Sequence, residues 1–349
     1  MAMTIVESAR PVTGGVDTHA DVHVAAAVDG NGGVLGVQSF ATTPAGYVQL
    51  HGWLAGFGAV DRVGVEGTGA YGAGLARHLR GQGLVVIEVD RPNRQERRRN
   101  GKSDELDAIE AARAALSGRA SGIAKAADGD VEAIRALLVA RRSARDVRIK
   151  YLNQIRHLGF TAPDELRERL RDVPREHLAR TAASLRPAPT AGSVRHATKL
   201  ALRTLGRRVL ALEEDSRHLD ELIHELVART APSLLEVYGV GTHTAAILLV
   251  AAGDNPHRLK SEAAFAHLCG VAPLPATTGK TQKRFRLNPG GNRQANHALW
   301  RIVFTRMSSD ERTRKYVARR LAEGRSTREV MRVLKRYVAR ELYPHLARD

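Results

Sequence analysis

Between residue 13 and about residue 118, short apolar runs of strand period alternate with runs of helical period. Gly15, Val16 and Asp17 end a first predicted strand, and Val22 to Val28 make a second. Asp29-Gly30-Asn31-Gly32-Gly33 then predicts a hairpin turn, because Asn and Gly accept positive φ at low cost. Val34 to Phe40 returns as the third strand, and Pro44 opens a helix that ends near Leu54. Arg62 to Glu66 is a fourth strand, Ala73 to Gln82 a helix, and Leu84 to Val89 a fifth strand. Two late strands joined through a helix predict a parallel unit.

Three antiparallel strands followed by parallel ones is the ribonuclease H order. Residues 130 to 160 and 193 to 230 have helical character instead. In the second of these, Leu202, Leu205, Val209, Leu212, Leu219, Ile223 and Leu226 follow steps of three and four, interrupted only at Ser216. That is a heptad seam, which fits either a pairing between chains or a helix packed within its own domain. Pro187-Ala188-Pro189-Thr190-Ala191-Gly192 reads as a linker. Further on, Gly239-Val240-Gly241 forms a Gly-x-Gly turn between short helices. Such a turn can offer backbone N–H groups to a phosphate, or simply make a helical corner. The last stretch is helical and basic, as in Arg312 to Arg320 and Arg332 to Arg340.

At 349 residues the chain has room for two or three modules, and 43% hydrophobic content argues for a folded protein. A formal net charge of +17 makes a polyanion the expected partner, since Lys and Arg release counterions when they neutralise phosphates. The other reading is a soluble protein that is merely rich in Arg. Aromatic residues, at 4%, argue against a single-strand reader built on stacking and permit shape-based duplex binding. A single cysteine, Cys269, excludes a disulfide framework and suits a buried structural thiol. No apolar stretch approaches a membrane span, and Met1 to Arg10 lacks a signal-type core, so a cytoplasmic, nucleoid-associated protein is expected.

Four carboxylates carry the candidate chemistry. Asp17 ends the first strand and Glu66 the fourth; Asp104 and Asp107 lie three apart behind Ser103, a helix N-cap, and so share one helix face. Brought together they repel one another unless cations compensate, and one or two Mg²⁺ ions with oxygen ligands are the simplest compensation. Two such ions, roughly 3.5–4 Å apart, serve phosphoryl transfer. Each acid also has an ordinary role available, at a strand end or in a first helical turn favoured by the dipole. His19 and His23 lie nearby, and packing or solvent roles are favoured over ligation. Arg91, Arg94, Arg97, Arg98, Arg99 and Lys102 precede Asp104 and are placed to guide a phosphate backbone.

Gly15-Val16-Asp17, Val65-Glu66-Gly67-Thr68-Gly69 and Asn100-Gly101-Lys102-Ser103-Asp104-x-x-Asp107-Ala108 resemble the RuvC-like domain of the DEDD transposases of the IS110 insertion-sequence family. Gly239-Val240-Gly241, Leu268-Cys269-Gly270-Val271-Ala272-Pro273, Asn288-Pro289-Gly290-Gly291-Asn292-Arg293-Gln294-Ala295-Asn296 and the closing Arg-rich helix resemble its transposase domain. The resemblance implies an α/β ribonuclease H-like (RuvC-like) domain over residues 1–125, a helical coiled-coil linker over 126–230, and a mainly α-helical DNA-binding domain over 231–349. It implies Asp17, Glu66, Asp104 and Asp107 as catalytic metal ligands, and a hydroxyl nucleophile where the family has serine. Threonine stands at both candidate positions, Thr277 and Thr278, and Thr278 directly before Gly279 is the closer match. Its extra methyl group stiffens the side chain and crowds an in-line attack. Phosphate contacts are expected from Arg94, Arg98, Arg99, Lys102, Gly239, Gly241, Lys280, Lys283, Arg284, Arg286 and Arg293. DNA, a structured guide RNA and a homo-oligomer, dimer or tetramer, are the implied partners. An architectural nucleic-acid-binding protein and an actin-like ATPase are the alternative readings.

Overall fold

β1 (Pro11–Thr18), β2 (Val22–Asp29) and β3 (Val34–Ala41) form an antiparallel meander. β4 (Ala59–Glu66) lies parallel to β1, β5 (Val85–Val89) parallel to β4, and β6 (Gly122–Ile123) antiparallel to β5. The sheet order is β3-β2-β1-β4-β5-β6. This computed structural model describes residues 10–89, 103–187, 192–255, 259–276, 285–288 and 290–346. They form two compact units, residues 1–129 with 252–260 and residues 130–251 with 261–349.

Local chemistry sets the elements of the first unit. In the β2–β3 hairpin Asp29 Oδ1 accepts the N–H groups of Asn31 at 2.9 Å and Gly33 at 2.8 Å, while Gly32 takes φ of 83°. α1 (Pro44–Ala55) starts at Pro44 with Thr43 capping the N–H of Gly46 at 3.1 Å. β4 begins three residues before the alternation predicts. A register shift between Val12 and Thr13 of β1 leaves Asp61 unpaired, and this bulge hides the first part of the strand. α1 and α2 (Ala73–Gly81) cover one face of the sheet: Leu50, Leu54, Leu75 and Leu79 bury against Val12, Val16, Val63 and Val65. Each such side chain contributes about 1.5–3 kcal/mol of transfer free energy. α3 (Asp104–Leu116) covers the other face. Asn255 joins the late segment to this unit, donating to the Ala124 carbonyl at 2.8 Å and accepting from the Ala126 N–H at 2.6 Å.

The second unit is helical. α4 (Asp130–Phe160), α5 (Asp164–Arg171), α6 (Arg175–Ala183) and α7 (Val194–Thr230) share a core of Leu152, Ile155, Leu166, Leu178, Leu202 and Val209. Leu202, Leu205 and Val209 of the α7 seam pack into this core. Leu202, Val209 and Ile223 are buried, while Leu205, Leu212, Leu219 and Leu226 are half-buried. At Gly206 a Cβ would come within 2.7 Å of α6 backbone, so glycine permits that close crossing. α8 (Pro232–Glu236), α9 (Thr242–Ala252), α10 (Glu262–Leu268), β7 (Pro273–Pro275), β8 (Phe285–Leu287), α11 (Arg293–Ser309), α12 (Glu311–Ala322) and α13 (Thr327–Leu346) follow. Among the described residues no helix is long and apolar enough to cross a membrane.

Candidate active site

Two missing side chains decide where α3 sits. Gly15 and Gly64 are register partners on β1 and β4. A Cβ at Gly15 would lie 2.2 Å from the Ala108 carbonyl oxygen and the Ala112 nitrogen; one at Gly64 would lie 2.3 Å from the Ala111 oxygen. Glycine in the strands and alanine on the helix therefore let the two backbones approach directly. Two residues beyond each glycine, on the same face by strand alternation, come Asp17 and Glu66. They occupy equivalent positions on neighbouring parallel strands, whose axes are about 4.8 Å apart. The Thr18 hydroxyl donates to the Glu66 carbonyl at 2.8 Å and ties those strand ends together.

From the helix side, Ser103 accepts the Leu106 N–H at 3.2 Å and fixes the first turn of α3. That turn carries Asp104 and Asp107, and the positive end of the helix dipole lowers the cost of gathering acids there. Asp107 is buried. Asp17 is buried too, and burial pushes its carboxyl above the usual range, with Asp107 and Asp104 adding to the rise and His19 opposing it. His19 Nε2 lies 3.1 Å from Asp17 Oδ2 and 3.4 Å from Asp104 Oδ2. Asp17, His19 and Asp104 each offer a donor atom, all within 4.8 Å of one another. One divalent cation fits that donor set, because it would neutralise a buried carboxylate that no Lys or Arg reaches among the described residues.

His19 is the residue that the sequence pattern undervalued. It lies just past β1, where strand alternation no longer says which way a side chain points. His23 goes the other way: it is fully buried on the opposite face, stacked on Tyr47 at 5.7 Å, with neither ring nitrogen partnered among the described residues. Thr68, in the turn after Glu66, donates to Glu88 Oε1 at 3.0 Å and anchors that turn to β5. Glu88 was legible only as a lone carboxylate inside an apolar strand.

Arg94, Arg98, Arg99, Lys102, Thr277, Thr278, Lys280, Lys283 and Arg284 lie outside the described residues, as does the side chain of Arg286 on β8. β7 and β8 pair and flank the segment that holds both threonines. The two motifs around that hairpin interlock. Asn296 donates to the Cys269 and Gly270 carbonyls at 2.8 and 3.2 Å, Asn288 donates to the His267 carbonyl at 3.1 Å, and Asn292 caps α11. Cys269 is buried and its thiol is pushed up to about 12 by that burial, as a structural thiol requires. Gly239, Gly241 and Arg293 line one groove of the second unit. The Gly241 N–H is already taken by Thr244 Oγ1 at 3.0 Å, so this glycine contributes wall rather than donor.

Comparison with known proteins follows the same two-part layout. A family model for DEDD transposases of IS110 type, described as a transposase, matches residues 14–158. A second, described as the transposase IS116/IS110/IS902 family, matches residues 231–318. The "Insertion element IS110 uncharacterized 43.6 kDa protein" of Streptomyces coelicolor is 30% identical over 139 residues, which are 39% of this chain and 34% of that protein. The match therefore spans about a third of that relative's length. Two models of one family, in order along the chain, together with this relative, place the protein: the chain belongs to the IS110 family of transposases.

Proposed function

We propose that this chain cuts and rejoins DNA strands as the recombinase of an insertion sequence. The observation that carries the reading is Asp17: a buried carboxylate in a strongly basic protein, set beside Asp104, Asp107 and His19, with no arginine or lysine pairing with it among the described residues. A non-catalytic architectural protein has no use for that arrangement. The sheet order and the α3 packing support a ribonuclease H-like, RuvC-like reading of the first unit. Functionally the chain divides into a catalytic region over 1–125, a helical region over 126–230 and a DNA-binding transposase region over 231–349.

Asp17, Glu66, Asp104 and Asp107, with His19 at the rim, would hold Mg²⁺, which when bound stabilises charge developing on a scissile phosphate. Glu66 and Asp107 complete the carboxylate face; Ser103 and Thr18 position it. The hydroxyl of Thr278 acts as nucleophile: its oxygen bonds to phosphorus, its proton leaves to solvent, and the strand's own oxygen departs and is protonated. The hydroxyl of a second strand then reverses the exchange, so the phosphodiester count is conserved without ATP. Arg94, Arg98, Arg99, Lys102, Lys280, Lys283, Arg284 and Arg286 guide the backbone. A structured guide RNA and a homo-oligomer are the partners this reading carries over from the family.

A strand-transfer assay with Mg²⁺, element-end DNA and flanking noncoding RNA tests it in wild type, Asp104→Ala and Thr278→Ala. Joined product disappears from both variants. Product that survives Thr278→Ala sinks the nucleophile assignment and leaves the carboxylate site standing.

A further inference from the structure

Two grooves of the second unit share Arg141 and Arg145 yet differ in charge. The first runs between α4 and α7, and its arginines are matched by acids. Arg141 meets Asp220 at 2.8 Å, Arg148 meets Glu213 at 2.7 Å, and Arg217 meets Glu221 at 2.5 Å. The second, of about 830 Å³, lies between α4, the turn at Gly239 and α11. It is lined by Arg141, Arg142, Arg145, Arg293 and Arg301, and by no carboxylate among the described residues. Arg142 donates to the neutral amide of Gln294 at 2.6 Å, and Arg293 and Arg301 have no carboxylate partner among the described residues. Of its guanidiniums, Arg141 is held by Asp220 and Arg145 lies 3.8 Å from Asp146, which leaves Arg142, Arg293 and Arg301 unmatched by acids among the described residues; gathered in a concave surface they repel one another, and a polyanion relieves that repulsion.

Beside this groove α11 carries a second feature. His297 and Trp300 stack at 5.4 Å, and Trp300 and Phe304 at 5.2 Å, with interplanar angles of 27° and 22°. Phe304, at the end of the stack, is 54% exposed. His297, Trp300 and Phe304 follow helical spacing and form a stripe next to Arg301 and Thr305, which face the groove. Aromatics are scarce in this chain, yet three rings are spent on one helix face that the core does not need.

We propose that this face binds a nucleic-acid strand with unpaired bases: the groove of Arg142, Arg145, Arg293 and Arg301 takes its phosphates, and Phe304 takes a base on the open end of the stack. The inference rests on the nucleic-acid reading of the chain and adds to it which surface grips a strand and that the strand is unpaired there. Every base has a π face, so the contact tolerates any sequence.

Fluorescence anisotropy tests it in EDTA, with one labelled sequence as single-stranded DNA, single-stranded RNA and DNA duplex. Binding without divalent metal keeps this test separate from strand cutting, so either reading can fail alone. Arg293→Ala/Arg301→Ala weakens all three probes by about tenfold or more and lowers the log–log salt slope by about two. Arg217→Ala, in the acid-matched groove, changes neither. Phe304→Ala weakens the single strands about tenfold and spares the duplex, and Phe304→Trp restores the loss. Thermal melts of each variant verify the fold. The tighter of the two single strands names the source of the strand, and the proposal holds for either. Unchanged affinity and salt slope in the arginine double variant overturns the groove; a Phe304→Ala loss that is absent, or equal on the duplex, overturns the unpaired base.

Discussion

Asp17 in the first unit and Glu262 in the second are both carboxylates in a chain of formal charge +17, and their surroundings are opposite. Glu262, at the start of α10, sits in a fork of two arginines from α13: Arg336 donates at 2.8 Å and Arg340 at 3.0 Å. The Arg336 hydrogen bonds, ahead of the opposing effect of burial, hold its carboxyl down to about 2. Asp17 is buried beside Asp104 and Asp107, so its ionised form is disfavoured where Glu262's is favoured. One arrangement joins two helices; the other keeps a repulsion that folding alone would have removed. In a protein with 54 Lys and Arg residues an arginine was readily at hand for Asp17. Among the described residues it is a histidine that stands there, and this contrast supports the proposed chemical role of the first unit's site against a structural one for Glu262.

The largest effect that separates them comes from Asp17→Asn. Strand transfer falls on the order of a thousandfold or more, because charge stabilisation of several kcal/mol is lost and each 1.4 kcal/mol or so is tenfold. Stability moves the other way. A carboxyl whose folded value is raised above 3.8 costs stability that is fully present above the raised value and vanishes below 3.8. At neutral pH in EDTA the asparagine variant therefore melts at a higher temperature than wild type. Added Mg²⁺ raises the wild-type melting temperature and leaves the variant's almost unmoved. A variant that melts lower in EDTA would place Asp17 with Glu262, as a structural acid.

Next in size is Gly15→Ala. The added methyl has no flexible neighbour to displace, since backbone of α3 lies 2.2 Å away on two sides. Overpacking of this kind costs about 1–3 kcal/mol, read as a shift in the urea midpoint of the first unit. It also moves the first turn of α3, so the melting-temperature gain from Mg²⁺ shrinks with it. Nucleic-acid binding by the second unit stays unchanged. An unaltered midpoint would show that α3 is free to shift, and that the glycines do not set the carboxylate geometry.

The proposed carboxylate face rests on local determinants, and of its four acids Asp17 and Asp104 come within 4.8 Å of each other, together with His19. Strand alternation fixed the side of Asp17 and Glu66, and Ser103 with a three-residue spacing aligned Asp104 and Asp107. His19 was not legible: it follows the last paired residues of β1, and only the closed fold turns it back toward Asp17. The arginines of α4 escaped for a different reason. Arg141, Arg142, Arg145 and Arg148 crowd one polar helix, and nothing local says which will meet an acid. Asp220 and Glu213 lie 79 and 65 residues away, so the register of α7 against α4 decides it. The same distance effect decides that Leu202, Leu205 and Val209 of the α7 seam pack within the chain, while Leu212, Leu219 and Leu226 stay half-buried.

The smallest effect tests the structural side. The Glu262 carboxyl drops from 4.5 to about 2 on folding, so its contribution is fully present above 4.5 and is lost as pH falls from 4.5 toward 2. Glu262→Gln removes charge-assisted hydrogen bonds, and costs the second unit about 1–2 kcal/mol at pH 7. Wild type and variant converge near pH 2. Asp17 has the reverse sign over the neighbouring range: its cost declines as pH falls through its raised value toward 3.8, which favours the first unit. The two tryptophans allow each unit to be followed separately, Trp53 in the first and Trp300 in the second. With Trp300→Phe the remaining fluorescence reports the first unit, and with Trp53→Phe the second. Glu262→Gln shifts only the Trp300 signal, Asp17→Asn only the Trp53 signal, and in opposite directions. A Glu262→Gln shift that persists undiminished near pH 2 would mean that packing of the side chain, and not its charge, joins α10 to α13.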